Sequence, residues 1–267
     1  MFVRWAGVPG PVIAFFRMAI AAVVLLPFFW IYGKPHQIRW SKSILIYPIL
    51  GGIFSALDLS VWATAMFYTS AANATFMSNT APLWVALAAW LLFRERPPRI
   101  FWLGLFITLA GAAGMVAGDF LRHPTLSLGD LIALASGLFY AGYFLATQRG
   151  RQHLGVLTYF WIMVFSGAVA LFFLNRLLGN PLTGFSTQTY LVFLSAALLT
   201  QVIGYLSVVY ALGHLPAAVV APTMILQPVL SALLAIPLLG EALRLDQGIG
   251  GTLVLAGIYL IHQGKSS

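Results

Sequence analysis

Cysteine is absent from this chain of 267 residues, and only 7% of them are charged. The first absence excludes a disulfide framework, a thiolate metal site and a cysteine nucleophile. The second excludes an ordinary soluble domain, which carries about a quarter charged residues. Catalytic signatures are missing too: there is no Gly-x-Ser-x-Gly, no His-Glu-x-x-His and no Walker motif, so ATP is not the direct energy source within this chain. His36, His123, His153, His214 and His262 all fall near the ends of apolar runs, and no two of them have metal-ligand spacing. No metal and no cofactor are expected.

What fills the chain is apolar: 61% of the residues are hydrophobic, with a mean hydropathy of +0.93. Crossing a hydrocarbon core of ~30 Å takes roughly 20 such residues per helix, so nine or ten spans consume nearly the whole length. Runs bounded by charge, Gly or Pro fall at about 11–32, 43–68, 71–93, 98–118, 128–148, 155–175, 188–212, 216–239 and 245–263. The expected fold class is therefore all-α, a polytopic membrane helix bundle with nine visible spans. Trp30, Tyr32, Trp40, Tyr47, Tyr68 and Trp102 sit near span ends, where interfacial aromatic belts lie.

The formal charge of +8 does not point to nucleic acid, because the basic residues stand in short runs between apolar stretches and not in an aromatic-interleaved patch. They serve as topology signals. With the 33–42 loop inside, nine Lys and Arg residues fall on the inner side and four (Arg4, Arg122, Arg176, Arg244) on the outer. That bias places the protein in the inner, cytoplasmic membrane with its C-terminus in the cytoplasm.

The chain also repeats itself. Laying 71–111 on 217–257 without a gap, an offset of 146, gives twelve identities, among them Pro82 on Pro228, Glu95 on Glu241 and Gly104 on Gly250. The number of spans between Glu95 and Glu241 puts these equivalent residues on opposite faces, so the repeat is inverted, with halves at 1–118 and 126–264. Inverted repeats characterise alternating-access transporters whose substrate lies near the midplane. Continuing backwards, 43–68 pairs with 188–212 and 11–32 with 155–175, and only Met1 to Ala6 fall opposite the end of 128–148. The repeat thus predicts ten helices, in a five-plus-five arrangement, of which the first would lie upstream of residue 1. The alternative is a bundle that works with nine.

The stretch Tyr68-Thr-Ser-Ala-Ala-Asn-Ala-Thr-Phe-Met-Ser-Asn-Thr-Ala-Pro82, running on to Leu91-Leu-Phe-Arg-Glu95-Arg, resembles the central signature of EamA-type proteins of the drug/metabolite transporter superfamily. Gln227-Pro228 through Leu238-Leu-Gly-Glu241 repeats it. The resemblance covers essentially the whole chain and implies ten helices, inverted five plus five, carrying small metabolites, with both termini cytoplasmic. It names no substrate, since members carry amino acids, nucleotide sugars, purine-related compounds and drugs.

Asp58 stands in the middle of an apolar span, where translocon scales put its cost at roughly 2.5–3.5 kcal/mol. Arg17 lies at a similar depth, about 10 Å below the outer surface, which makes the two a candidate ion pair. Either the pair fixes helix packing, or Asp58 couples a substrate or a proton. Thr75, Asn79 and Pro82 recur at i, i+4 and i+7, a polar face beside a Pro that frees a carbonyl. Thr223, Gln227 and Ser231 form a similar stripe beside Pro222 and Pro228. Gln201 shares a face with Tyr205, and Tyr140 and Tyr143 lie with Ser136. Trp62, four residues after Asp58, and Trp161, mid-span, suit a planar or apolar solute. The cavity is expected to draw on these residues.

Glu95 and Glu241 cannot meet and read as structural, and Ser127 with Asp130 reads as a capping box. Gly111-Ala-Ala-Gly114-Met-Val-Ala-Gly118 and Gly248-Ile-Gly-Gly251 read as close packing surfaces, within the chain or across a homodimer. The functional expectation is a secondary transporter, not an enzyme, moving a small metabolite, amino acid or drug-like solute through the bilayer by alternating access. A proton-coupled exporter fits this pattern. The alternatives are a membrane scaffold or assembly factor, which needs no buried Asp, Arg, Asn and Gln on several helices, and an intramembrane enzyme, which needs convergent catalytic groups.

Overall fold

The computed structural model describes residues 6–33, 41–93, 97–122, 127–239 and 245–264. Glu95, Glu241, Arg4, His36 and His123 lie outside these residues, as does the side chain of Ser231. The described residues form helices and turns. They comprise α1 (Gly10–Tyr32), α2 (Lys42–Ala65), α3 (Ala71–Ser78), α4 (Ala81–Phe93), α5 (Arg99–Arg122), α6 (Leu128–Arg151), α7 (Val156–Leu177), α8 (Thr187–Ala211), α9 (Ala217–Thr223), α10 (Leu226–Leu239) and α11 (Leu245–Gln263). Six of these, α1, α2, α5 to α8, are long and apolar enough to cross a membrane. Their outward faces are apolar: Val23, Phe106, Phe173 and Ile203 are each more than half exposed, an arrangement that suits lipid and not water. The protein is a polytopic helical membrane protein.

Local chemistry sets the helix starts. Ser70 accepts the Asn73 N–H and opens α3, Ser186 accepts the Thr189 N–H and opens α8, and Ser127 with Asp130 makes the expected reciprocal capping box at α6. Asp130 also accepts the Thr69 hydroxyl (2.7 Å), pinning the turn after α2 to the start of α6.

Two spans read as continuous in the sequence are broken. The first divides at Asn79-Thr80, the second at Met224-Ile225, which are equivalent to within one residue under the 146-residue offset. Pro82 and Pro228 stand in the first turn of the segment after each break. Proline has no N–H to give the carbonyl one turn back, and its ring crowds that turn, so a helix start accommodates it at less cost than a helix interior. The Ser78 carbonyl released by Pro82 is covered by protein: a Cβ placed on Gly137 of α6 would come within 3.1 Å of it.

Glycines let the helices cross closely. A Cβ at Gly104 would stand 2.7 Å from the Gly257 carbonyl oxygen, and one at Gly111 would stand 2.6 Å from that of Gly250. Under the offset Gly104 is equivalent to Gly250 and Gly111 to Gly257, so these are one contact seen from either half. The small-residue faces at Gly111 and Gly250 are thus spent on each other inside the chain, with α5 and α11 antiparallel. α2 and α6 also run antiparallel, with Gly142 against the Phe54 ring and Gly150 against Tyr47. α1 packs on α7, where Asn175 donates to the Pro11 carbonyl (2.9 Å).

Candidate functional site

The two helix breaks face a cavity of about 650 Å³ between α1, α2, α6 and α8. α1 contributes Arg17; α2 contributes Asp58, Leu59 and Trp62; the first broken span contributes Thr75, Ser78 and Asn79; α6 contributes Tyr140. The opposite wall is Thr200, Gly204, Tyr205 and Val208 of α8 with Thr223, Met224, Leu226, Gln227 and Leu230 of the second broken span. Eight of the residues expected from the sequence line it: Asp58, Trp62, Thr75, Asn79, Tyr140, Tyr205, Thr223 and Gln227. So does Arg17.

The direct Arg17–Asp58 pair is not the contact the structure makes. Both side chains are buried in the same wall system, but the Arg17 guanidinium donates from Nη2 to Gln201 Oε1 (3.2 Å) and lies 5.8 Å from the Tyr205 ring. Asp58 instead has the Ser136 hydroxyl beside it, which donates to Ser78 Oγ (2.9 Å). The cavity wall therefore carries one basic and one acidic side chain among the described residues, each from a different helix. Arg17 Nε and Gln201 Nε2 are buried without a partner.

Three expected residues stand elsewhere. The middle of α8, Ala196–Tyr205, is a π-helix, and Gln201 and Tyr205 share a face there, both turned to Arg17. Thr200 and Tyr205 line the cavity, while Gln201 is fully buried and held by Arg17. Tyr143 is fully buried behind Tyr140, the two rings stacked at 5.8 Å. Trp161 is a packing residue: it stacks on Phe29 (4.4 Å) and donates to the Ala22 carbonyl (2.9 Å), holding α7 to α1.

Ser78 and Thr200 were missed, although each is a polar residue beside a chosen one. Leu59, Val208, Met224, Leu226 and Leu230 carried no signal, because apolar residues facing a cavity and facing lipid look alike in a membrane chain. Among the described residues no three His, Asp or Glu side chains gather as metal ligands. The cavity wall offers acidic, basic, hydrogen-bonding and aromatic side chains.

The profile of the EamA-like transporter family matches twice, at residues 1–117 and 127–263. An uncharacterized transporter of Archaeoglobus fulgidus is 29% identical over 259 residues, 93% of this chain and 86% of the relative. The threonine/homoserine exporter RhtA of Salmonella typhimurium is 28% identical over 250 residues (89% and 76%). The pseudopaline exporter CntI of Pseudomonas aeruginosa PAO1 is 25% identical over 221 residues (82% and 74%). A crystal structure with a TM-score of 0.77 and 18% identity covers 97% of this chain and 89% of its own. That likeness concerns the fold.

Proposed function

From the premise that this chain belongs to the EamA-like transporter family, whose named relatives transport and do not catalyse, we propose that it exports a small zwitterionic solute of the amino-acid class. The carrying observation is one basic and one acidic side chain, Arg17 on α1 and Asp58 on α2, set apart in one cavity inside the membrane. Each costs several kcal/mol in hydrocarbon when uncompensated, on the order of 2.5–3.5 by translocon scales. A solute whose carboxylate meets Arg17 and whose ammonium meets Asp58 compensates both at once. Tyr140, Tyr205 and Trp62 offer flat apolar surface for its side chain, and Asn79, Thr75 and Gln227 offer hydrogen bonds for polar ones. The exporter names of RhtA and CntI support the direction, and the first of them supports the solute class.

Transport proceeds by alternating access. The halves, 1–118 and 126–264, rock against each other about the cavity, with the broken spans as the flexible walls on either side. The charge bias supports an inner-membrane location with the C-terminus in the cytoplasm. Proton exchange at Asp58 supplies the drive.

The test is counterflow in proteoliposomes with an equimolar radiolabelled mixture of the common L-amino acids. Wild type is expected to exchange label, and Asp58→Asn and Arg17→Gln are each expected to lose at least about ten-fold. No exchange by wild type, or both variants exchanging within two-fold of it, refutes the assignment.

A further inference from the structure

A guanidinium offers N–H donors and no acceptor, so every bond it makes must be received by a lone pair elsewhere. Arg17 of α1, buried in the cavity wall, makes one such bond among the described residues: Nη2 donates to Gln201 Oε1 of α8 (3.2 Å). Facing a group that only donates, the Gln201 amide is fixed with its oxygen toward Arg17. Both partners keep a donor unspent, since Arg17 Nε and Gln201 Nε2 are buried with no hydrogen-bond partner. The guanidinium also lies 5.8 Å from the ring of Tyr205, which belongs to the same π-helical stretch as Gln201. Such stretches inside α-helices occur frequently at functional sites.

This bond is not needed to hold α1 to α8. One residue earlier on α1, Phe16 stacks on the fully buried Phe193 of α8 (4.4 Å between ring centres) and joins the two helices by apolar contact. A polar pair kept for packing alone would spend its buried donors, as nearly all buried polar groups do. The Arg17 and Gln201 pair instead has spent its one acceptor atom and retains two donors, a pattern that fits a partner made of acceptors, such as a carboxylate. Arg17 lines the cavity and is placed to meet one; Gln201 does not line it, so it acts through Arg17. The residue type then has a reason. A glutamate at 201 would cancel the charge of the guanidinium and repel a solute carboxylate. A leucine would leave a flexible side chain without its bond. Glutamine orients the guanidinium and leaves its charge for the solute.

We propose that Gln201 sets the carboxylate preference of the cavity: its amide oxygen fixes Arg17 in the wall without neutralising it, so that a solute with a carboxylate is taken ahead of the same solute without one. Gln201 is a positioning residue and does not touch the solute. This rests on the reading of Arg17 as the group that meets the carboxylate of a zwitterionic solute, and it is independent of how transport is driven.

The test reads affinities from the concentration dependence of the ligand-induced rise in melting temperature of the purified, detergent-solubilised protein. The probes are L-threonine, L-leucine and L-phenylalanine, each paired with the amine that lacks only its carboxylate: 1-aminopropan-2-ol, 3-methylbutylamine and 2-phenylethylamine. Wild type is expected to favour the amino acid by at least about ten-fold in each pair that binds. Gln201→Glu is expected to abolish that preference, and Gln201→Leu, which adds no charge, to cut it at least about three-fold, with the amines bound within about two-fold of their wild-type affinity. In an Arg17→Gln background, with no guanidinium to hold, Gln201→Leu is expected to change the preference by less than about two-fold. A preference that both Gln201 variants keep, an equal loss of amino acid and amine, or a Gln201→Leu effect that persists without Arg17 overturns the proposal alone. So does a Gln201→Leu protein that no longer melts cooperatively, which makes Gln201 a folding residue. Wild type that binds amino acid and amine alike, or binds none of the six, overturns the zwitterion reading with it.

Discussion

Replacing Gly111 with Ala places a methyl group 2.6 Å from the Gly250 carbonyl oxygen, 2.7 Å from the Val254 nitrogen and 2.8 Å from the Leu253 Cβ. Ordinary contact begins at 3.4 Å, so α5 and α11 must part there by about 0.8 Å. Backbone atoms on a packed helix cannot rotate away as a side chain does. Overpacking of this kind costs typically 1–3 kcal/mol. Gly114, three residues on and in the same helix, is the internal control: its nearest neighbour for a new Cβ is the Gly250 Cα at 3.8 Å. Ala is the better helix former at both sites by about 1 kcal/mol, so that gain cancels in the comparison. Gly114→Ala is expected to melt at or slightly above wild type. Gly111→Ala is expected to be the less stable of the two by about 1–3 kcal/mol, roughly 2–12 °C for a domain of this size. Fluorescence-detected size-exclusion chromatography of heated, detergent-solubilised protein reads the difference. Because the two halves see the same contact, Gly257→Ala should fall with Gly111→Ala. If Gly111→Ala and Gly114→Ala melt within a degree of each other, the crossing is not as close as described.

Three further outcomes follow from contacts away from the charges. Trp161→Phe keeps the stacking on Phe29 and removes the bond to the Ala22 carbonyl, so stability should fall by about 1 kcal/mol while competition binding shows unchanged affinity; a changed affinity would put Trp161 back in the cavity. Asn175→Ala removes the donor to the Pro11 and Leu171 carbonyls at a fully buried site, and a thermal melt should show a loss of about 1–3 kcal/mol. Gln148→Ala frees the Ala217 N–H, which the amide oxygen holds at 2.8 Å. Together with Arg151, bonded to the Val209 and Leu154 carbonyls, Gln148 ties the α8–α9 turn to the end of α6. Proteolysis within 212–216 should therefore accelerate in the variant and not in wild type.

The bundle was legible because spans and lipid-facing residues follow from apolar length alone, and the repeat because identities at one offset survive biased composition. Asp58, Asn79 and Gln227 were legible as cavity residues because polarity in an apolar span has few other uses. Pro82 and Pro228 marked the breaks, yet a Pro within an apolar run also occurs in the unbroken α1 and α2, at Pro27 and Pro48. Gln201 and Tyr205 do share the Arg17 side of α8, but only Tyr205 reaches the cavity, and no residue in Ala196–Tyr205 announces a π-helix. Tyr143 and Trp161 share their residue types with true lining positions, and only packing separates them. The Arg17–Asp58 pairing was drawn from depth, which fixes height along the bundle normal and leaves lateral distance open.

The broken spans have a consequence for how the chain enters a membrane. α3 has eight residues and α9 seven, so each is about 10–12 Å long, far short of a ~30 Å core. An insertion machinery that releases helices singly into lipid would leave the carbonyls that Pro82 and Pro228 release facing hydrocarbon, where nothing satisfies them. These segments must therefore leave the machinery already leaning on a neighbour, as α3 leans on α6 through Gly137.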